Sequence, residues 1–264
     1  MRRICILLIA SILPTLFASA ADDVAYQKRW IQNVPVHVVT ANLNSRNVKV
    51  SPAIARHGIG TSEGFGSMLS RLKPAAAITG TYFCVRSLVP VGHIAIDSKL
   101  VNTGSLGTAV CFGTDNTVEF KVHNSPTPRP GAYESVLAGG PRLVKNGVVS
   151  VSPRAEGFRD RHLYRPAQRS ALGITKYNKL LLVSVNRPIY MSKMARIMRE
   201  LGAVDAINLD GGSSTALFCD GKTWSHPGRR LTNLIVVYET PTQFARAKSQ
   251  LAPSPVVATS PSKS

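Results

Sequence analysis

The run at residues 206–217, Ala-Ile-Asn-Leu-Asp-Gly-Gly-Ser-Ser-Thr-Ala-Leu, constrains the fold of this chain more than any other segment. Its apolar beginning predicts a buried strand, and its paired glycines allow backbone conformations that are closed to residues with a Cβ. We therefore expect a tight polar turn that presents Asp210 with the hydroxyl groups of Ser213, Ser214 and Thr215. Polar groups held in a loop on a rigid scaffold typically contact a ligand. A plain Asp-Gly hairpin turn is the alternative interpretation.

The first twenty residues have the pattern of an export signal. Arg2 and Arg3 form a basic start, residues 4–17 are apolar, and Ala18-Ser19-Ala20 is a small-residue cleavage site. We expect cleavage after Ala20 and a periplasmic or secreted protein, with an uncleaved N-terminal anchor as the alternative. No second apolar run of spanning length follows in the sequence, so no stable membrane insertion is expected after cleavage.

The charge of the chain is strongly positive, with 32 Lys and Arg against 14 Asp and Glu, a formal net charge of +18. A basic protein that stays in the cytoplasm would suggest nucleic acid as a partner, but export argues against that. Phosphate- or carboxylate-bearing polymers of the cell envelope fit better. A charge that serves only solubility is the competing explanation.

Three cysteines remain after removal of the signal, which contains Cys5. They are Cys84, Cys111 and Cys219, in a compartment where pairing is expected. We expect a Cys84–Cys111 disulfide, because both residues end strand-like runs, while Cys219 stays free or pairs between molecules. No Cys-x-x-Cys spacing is present, and we expect neither a metal ion nor a cofactor.

The pattern of strands and helices predicts an α+β fold, a single domain with a mixed, mainly antiparallel sheet and a few helices. Strand-like segments recur along the chain, and the best helix is at residues 191–201, with an apolar face of methionines and Gly202 as its stop. The domain is predicted at residues 21–240. A C-terminal tail is predicted at residues 241–264, disordered from about residue 249 because it is rich in Pro, Ser, Ala and Thr.

Several further segments, in order along the chain, resemble one family. They are Thr-Gly-Thr-Tyr-Phe at 79–83, Pro-Val-Gly-His-Ile-Ala-Ile-Asp at 90–97, Gly-Gly-Pro-Arg-Leu-Val at 139–144, Arg-Ser-Ala-Leu-Gly at 169–173, and Arg230. Together with the 206–217 run, they resemble the phosphodiester glycosidases. These are bacterial relatives of the mammalian enzyme that removes N-acetylglucosamine from phosphomannose on lysosomal proteins.

The resemblance covers roughly residues 75–238, and it includes departures. The family usually has Asn where Thr79 stands, and commonly Thr where Ser170 stands. The serine keeps the hydroxyl group, but the missing amide could have bound a sugar. The resemblance therefore implies the reaction and leaves the sugar open.

The implied reaction needs only one carboxylate. Cleaving a sugar from a phosphodiester releases a phosphate monoester, whose second pKa is about 6, so the leaving group needs little protonation. Asp210 is then the nucleophile or the base for water, with a turn-capping role as the alternative. Arg169 would clamp the phosphate, with Arg142 or Arg230 assisting, because a guanidinium binds two oxygens at once. A surface ion pair is the alternative role for Arg169.

The remaining candidate contacts lie around this pair. The amides and hydroxyls that follow Asp210 would bind phosphate or sugar hydroxyls, and an aromatic and a histidine are candidate sugar contacts. The expected substrate-binding residues are Gly211, Gly212, Ser213, Ser214, Thr215, Asn208, Tyr82 and His93.

Two other functions remain open from the sequence. The first is a non-catalytic binding or assembly protein for anionic polysaccharide, held by the five arginines of residues 154–169. The second is a metal-dependent phosphodiesterase, which would need clustered Asp and His ligands that the sequence does not offer. An ATPase is excluded, because residues 60–66 lack the Gly-Lys-Ser/Thr ending of a phosphate loop. We therefore expect an exported hydrolase acting on an anionic, phosphate-containing glycan.

Overall fold

A computed structural model describes residues 22–122 and 132–253. The strands are β1 Val24–Ile31, β2 Val34–Asn42, β3 Lys49–Ile54, β4 Ala76–Thr79, β5 Ile94–Ile96, β6 Lys99–Asn102, β7 Thr108–Phe112, β8 Val118–Val122, β9 Ser135–Gly139, β10 Arg142–Lys145, β11 Val148–Val149, β12 Ala167–Thr175, β13 Lys179–Ile189, β14 Ala203–Asn208, β15 Leu217–Cys219, β16 Lys222–Ser225 and β17 Asn233–Tyr238. The α-helices are α1 Phe65–Leu72, α2 Met191–Glu200 and α3 Pro241–Leu251, and short 3₁₀ turns occur at Arg161–Tyr164 and Gly212–Ser214. The predicted signal at residues 1–20 lies outside the described residues.

The described strands form three antiparallel sheets rather than one. The large sheet has the order β1-β2-β13-β12-β14-β10-β11, the second sheet β16-β15-β4-β17-β3, and the third sheet β6-β5-β9-β7-β8. Short turns connect many of the neighbouring strands, as in the β12–β13 hairpin, and such connections favour antiparallel pairing. The predicted α+β class is confirmed.

The central strands of the large sheet are buried on both faces, which explains their nearly continuous apolar sequences. In β13, Leu180 and Leu182 pack toward the second sheet, whereas Leu181 and Val183 pack toward α2. Successive side chains of a strand point to opposite faces, so one strand contributes to two core clusters. Helices α1 and α3 cover the far side of the second sheet. The site described below lies at an edge of these layers, where strands end.

Helix α2 lies close to where the sequence predicts it. Its good helix formers and its apolar face, buried at five residues, favour a helix over residues 191–200. The chain then leaves the helix at Gly202, whose φ of 88° is readily available to glycine. The predicted end at residue 201 differs from the observed one by a single position.

Helix α3 corrects the predicted domain boundary. Thr240 caps its first turn, since the side chain accepts a hydrogen bond from the Gln243 amide at 3.2 Å. Phe244 and Leu251 are buried against the core. The folded part therefore extends past residue 240 and through residue 249, because this segment has an apolar face that the second sheet and α1 cover. Residues 254–264 of the predicted tail lie outside the described residues.

The predicted disulfide is wrong. Cys84, Cys111 and Cys219 are all free thiols. Cys111 is buried within β7, whereas Cys84 is exposed on the loop that follows β4, so the two belong to different environments. Burial raises the pKa of the Cys111 thiol to about 11.

No α-helix in the described ranges combines the length and the apolar character needed to cross a membrane.

Candidate active site

A cavity of about 580 Å³ lies beyond the ends of β4 and β14. Its wall combines the segment after β14, the start of β12, the segment after β4, the 158–167 loop and the strap at residues 226–230 that precedes β17. The lining residues used below are Tyr82, Phe83, Phe158, Arg159, Asp160, His162, Arg165, Arg169, Asp210, Gly211, Gly212, Ser213 and Arg229.

Strand register brings Asp210 and Arg169 to this cavity. Strands β12 and β14 are antiparallel, with Ala171 opposite Asn208. Arg169 lies two residues before Ala171 and Asp210 lies two residues after Asn208, so the antiparallel register brings them to the same end of the β12–β14 pair. Gly211 makes the close approach possible, because a Cβ there would lie 2.6 Å from the carbonyl oxygen of Gln168. The two predicted catalytic residues therefore line one concavity.

Asp210 is held by its backbone and by its carboxylate. Its amide donates to the Gly80 carbonyl at 3.0 Å. One carboxylate oxygen accepts from the Gly211 amide at 2.9 Å, and the other accepts from the Arg229 guanidinium at 3.0 Å. Burial raises the pKa of Asp210 above its ordinary value, while hydrogen bonds from Ser214 and the charge of Arg229 oppose that rise. The ionisation of the Asp210 carboxyl therefore depends on Ser214 and Arg229.

The second sheet fixes the segment at residues 80–81, whose Gly80 carbonyl accepts the hydrogen bond from the Asp210 amide. Asn233, at the start of β17, accepts from the Thr81 amide at 2.7 Å and donates to the Thr81 carbonyl at 3.1 Å. Residue 80 must be glycine, because a Cβ there would stand 1.9 Å from Asn233 Oδ1. Asp210 is therefore held both by β14 of the large sheet, which it follows, and by the second sheet through Gly80.

Arg169 is buried, with only 3% of the residue exposed, and it contacts no carboxylate in the described part of the chain. Its Nε donates to the Ile189 carbonyl at 3.3 Å, and its Nη2 donates to the carbonyls of Leu163 and Arg165 at 3.1 and 2.6 Å. Burial lowers the pKa of Arg169, but a guanidinium remains charged at any ordinary pH. The result is a fixed cation without a counter-ion.

Tyr82 and Asn208 form a hydrogen-bonded pair beside Asp210. The Asn208 side-chain amide donates to the phenol oxygen of Tyr82 and, at 2.6 Å, to the Leu209 carbonyl. The Tyr82 ring meets Phe158 edge-on, with ring centroids 6.0 Å apart. Burial and the neighbouring Asp210 carboxylate raise the pKa of Tyr82, so the phenol keeps its proton.

Arg229 is a cavity residue that the sequence pattern did not indicate. Its Nε donates to Ser214 Oγ at 2.5 Å, its Nη2 pairs with Asp210, and its guanidinium lies 4.4 Å from the centroid of the Phe83 ring. The predicted arginine, Arg230, instead donates to the Ser62 carbonyl at 2.8 Å and does not line the cavity within the described residues. The only available signal was the pair of adjacent arginines.

Other predicted contacts divide into those at the cavity and those behind it. Gly211, Gly212 and Ser213 line the cavity, while Ser214 and Thr215 are buried beneath them. His93 is buried and accepts from the Gly104 amide at 3.2 Å, away from the lining residues.

Arg142 also lies away from the cavity. It is buried in β10, where it forms an ion pair with Asp205 and donates to the Val144 carbonyl at 3.3 Å. Its guanidinium is thus already neutralised within the protein.

The charge at the cavity is predominantly positive. Its two carboxylates are engaged, Asp210 by Arg229 and Asp160 by His162 at 2.8 Å. Arg159 and Arg165 lie exposed on the 158–167 loop, and Arg169 lies below them without an acid partner. Such an arrangement attracts an anion. Across the described ranges, no three or more His, Cys, Asp or Glu residues lie close enough together to hold a metal ion.

Comparisons with solved structures agree on the fold. A hypothetical protein from Synechocystis matches with a TM-score of 0.70 and 17% identity over 81% of this chain, which spans only 62% of that protein. The catalytic domain of zebrafish N-acetylglucosamine-1-phosphodiester alpha-N-acetylglucosaminidase, auto-inhibited by its pro-peptide, matches with a TM-score of 0.65 and 18% identity over 84% of this chain and 85% of that one. A protein from Burkholderia pseudomallei matches with a TM-score of 0.58 and 14% identity over 77% and 74%.

Sequence comparison identifies the family. No curated protein matches the chain significantly. The family model described as phosphodiester glycosidase matches residues 73–238, which is more than half of the 264 residues and includes Tyr82, Arg169 and Asp210. The resemblance noted in the sequence is therefore confirmed, and the chain belongs to the phosphodiester glycosidase family of hydrolases.

Proposed function

We propose that this protein is exported and hydrolyses the glycosidic bond of a sugar 1-phosphodiester in an envelope or extracellular glycan. One observation carries the proposal, namely that Asp210 and an unpaired Arg169 line the same cavity. A carboxylate can react with, or activate water at, the anomeric carbon, and a fixed cation can bind the negatively charged phosphate. The two side chains therefore match the two groups that the bridging oxygen joins.

Asp210 acts on the anomeric carbon, as nucleophile or as base for water. Both roles need the ionised carboxylate, which the Gly211 amide and Arg229 stabilise. The leaving group is a phosphate monoester with a pKa of about 6, and it departs without a full proton. A second carboxylic acid is therefore not required in the way that it is for an ordinary glycoside.

Arg169 binds the phosphate. A guanidinium has five N–H donors, and three of them reach the carbonyls of Leu163, Arg165 and Ile189. The two on Nη1 remain for a ligand. Because the other three fix the plane of the group, the two free donors are already oriented before substrate arrives.

Export and an anionic substrate are supported by the sequence. The apolar segment at residues 4–17 ends in Ala18-Ser19-Ala20, and the net charge is +18. Expression of the full chain in a bacterium, followed by fractionation and mass measurement of the product, tests both export and cleavage after Ala20. Recovery of the uncleaved chain in the cytoplasm would contradict this part of the proposal.

A hydrolysis screen in heavy-oxygen water tests the reaction. Sugar 1-phosphodiesters with different sugars are incubated with the mature protein, and the products are analysed by mass spectrometry. We expect the heavy oxygen in the released sugar, because the carbon–oxygen bond breaks. Heavy oxygen in the phosphate, together with loss of activity on chelation, would instead indicate the metal-dependent phosphodiesterase.

A binding or assembly protein for anionic polysaccharide remains the second candidate. It is favoured by Arg159 and Arg165, which are exposed at the rim of the cavity. Retention on a phosphate-containing polymer without hydrolysis of any diester in the screen would support it over the enzyme.

A further inference from the structure

The orientation of the Asn208 side chain is fixed by its neighbours. The Leu209 carbonyl oxygen, 2.6 Å away, can only accept a hydrogen bond, so the atom that faces it must be the side-chain nitrogen. That nitrogen has two hydrogens, and the second is directed at the phenol oxygen of Tyr82. Both donors of this amide are therefore used inside the protein.

The phenol oxygen of Tyr82 is consequently an acceptor in this pair. Its own proton must point elsewhere, and no residue in the described ranges accepts it. The ring is held edge-on by Phe158, and Tyr82 is one of the residues that line the cavity. An O–H group with an occupied acceptor side and a free proton facing a cavity is arranged to donate to a ligand.

The position of Tyr82 suggests which ligand atom receives this hydrogen bond. The phenol contacts Asn208, two residues before Asp210, and it interacts electrostatically with both the Asp210 carboxylate and the Arg169 guanidinium. In a sugar 1-phosphodiester, the bridging oxygen joins the anomeric carbon, near Asp210, to the phosphorus, near Arg169. Tyr82 lines the same cavity as both groups, so its phenolic proton can reach that oxygen.

We propose that Tyr82 is a further catalytic residue that donates its phenolic hydrogen bond to the bridging oxygen of the leaving phosphate, and that Asn208 is a positioning residue for Tyr82. This inference rests on the proposed function. The new bond forms between the anomeric carbon and either a water that gives its proton to Asp210 or Asp210 itself. In the second case, a water then attacks the anomeric carbon, the bond to Asp210 breaks and releases the carboxylate, and the proton of that water goes to the solvent. The carbon–oxygen bond breaks, and its electron pair stays on the phosphate oxygen, while Tyr82 keeps its proton and stabilises the developing charge.

This assignment changes the role predicted for Asn208. The sequence places it among the substrate contacts, but its two N–H groups are used and its Oδ1 is buried. It acts on the substrate through Tyr82.

The test compares Tyr82→Phe with the wild-type enzyme on a series of substrates. The series keeps one sugar and varies the alcohol on the phosphate from an alkyl group to a nitrophenyl group, which makes the leaving phosphate less basic. We expect kcat to fall about 100-fold on the alkyl diester and much less on the nitrophenyl diester. The ring contact with Phe158 is preserved, so the melting temperature should change little.

Asn208→Ala is the matched positioning variant. It should lower kcat with the same dependence on the leaving group, and Tyr82→Phe added to it should cause little further loss, because both changes remove one interaction. If Tyr82→Phe lowers kcat equally on every substrate of the series, or does not lower it, the inference about Tyr82 is overturned. Hydrolysis of the diesters by the wild type would still support the proposed function. If Asn208→Ala does not fold, the Tyr82→Phe series alone decides. A wild-type protein that hydrolyses none of these diesters would overturn both.

Discussion

Two buried arginines in this protein have different surroundings. Arg142, in β10, pairs with Asp205, and its backbone amide donates to Glu156 at 2.8 Å. Arg169, at the start of β12, donates only to backbone carbonyls among the residues that the structure describes. Both segments match the family, and from the sequence both were candidates for the phosphate.

The difference lies in where each positive charge is neutralised. A buried cation without a partner is costly, and it is normally paired within the fold, as Arg142 is. Arg169 lines the cavity, and the carbonyl dipoles of Leu163, Arg165 and Ile189 stabilise its charge. Under the proposed function, an anionic ligand would supply its counter-ion. The presence of a counter-ion within the described residues would then separate a structural arginine from a binding one.

Among the variants that test the roles of these residues, Asp210→Asn should have the largest effect on kcat. It removes the carboxylate while retaining the shape of the side chain, so we expect kcat to fall by at least about 10³-fold with little change in affinity for the substrate. Steady-state kinetics on the best diester from the screen, with calorimetry for binding, measure both quantities. Normal turnover by this variant would remove Asp210 from the reaction.

Arg169→Gln and Arg142→Gln should separate the two arginines. For Arg169→Gln we expect a loss of about 10²- to 10³-fold in kcat/KM. For Arg142→Gln we expect near-normal kcat but a free energy of unfolding lowered by about 3 kcal/mol, because Asp205 loses its partner. Inorganic phosphate should raise the melting temperature of the wild type and of Arg142→Gln but not of Arg169→Gln. If phosphate raised the melting temperature of Arg169→Gln but not of Arg142→Gln, Arg142 would be the phosphate-binding arginine and Arg169 the structural one.

Arg229→Gln should shift the pH dependence of the reaction. Burial raises the pKa of Asp210 and Arg229 opposes that rise, so removing the guanidinium should raise the pKa further. The ionised form is the active one, and the acidic limb of kcat/KM against pH should therefore move to higher pH. An unmoved limb would show that Arg229 does not control this proton.

The raised pKa of Asp210 also predicts that the free energy of unfolding depends on pH. A carboxyl whose folded-state pKa is raised holds its proton more tightly in the folded protein than in the unfolded one. Its contribution is therefore complete below its ordinary value of 3.8 and is lost as the pH rises through the raised value. Denaturant titrations should show wild-type stability falling relative to Asp210→Asn across that window. Parallel curves would contradict it.

Arg159→Gln and Arg165→Gln should have the smallest effects. Both side chains are exposed at the rim, where an ion pair is screened by water and salt. We expect each to lower kcat/KM about threefold on a polymeric substrate at low salt and to have no effect at high salt. A small sugar 1-phosphodiester is the control, because it lacks the repeated charges of the polymer and its kcat/KM should change less.

Much of the site could be predicted because it lies where strands end. The apolar approach to Asp210 and the paired glycines predict a strand followed by a turn. The β12–β14 register then places Arg169 opposite that turn. The α2 helix followed from its apolar spacing in the same way. These features depend on local pattern, which a sequence displays directly.

The rest depends on loop conformation and on long-range neighbours. Arg229 enters the cavity whereas Arg230 donates to Ser62, and the Gly228 amide before them donates to the Ser213 carbonyl at 2.8 Å, a contact that the local sequence does not display. The Arg142–Asp205 pair lies across two strands that are distant in the sequence. Similarly, Cys84 and Cys111 end strand-like runs without being partners, because one lies on a loop and the other in a sheet.

The attachment of Gly80 and Thr81 to Asn233 has a consequence for how this enzyme could diversify. The backbone that holds Asp210 is shared by two sheets, and any shift there would disturb strand pairing in both. The exposed side chains of the 158–167 loop, such as Arg159, carry no such constraint, although the Leu163 and Arg165 carbonyls of the same loop hold Arg169. Under the proposed function, substitutions of those exposed side chains can change which sugar the cavity accepts, while the backbone around Asp210 and Arg169 stays in place.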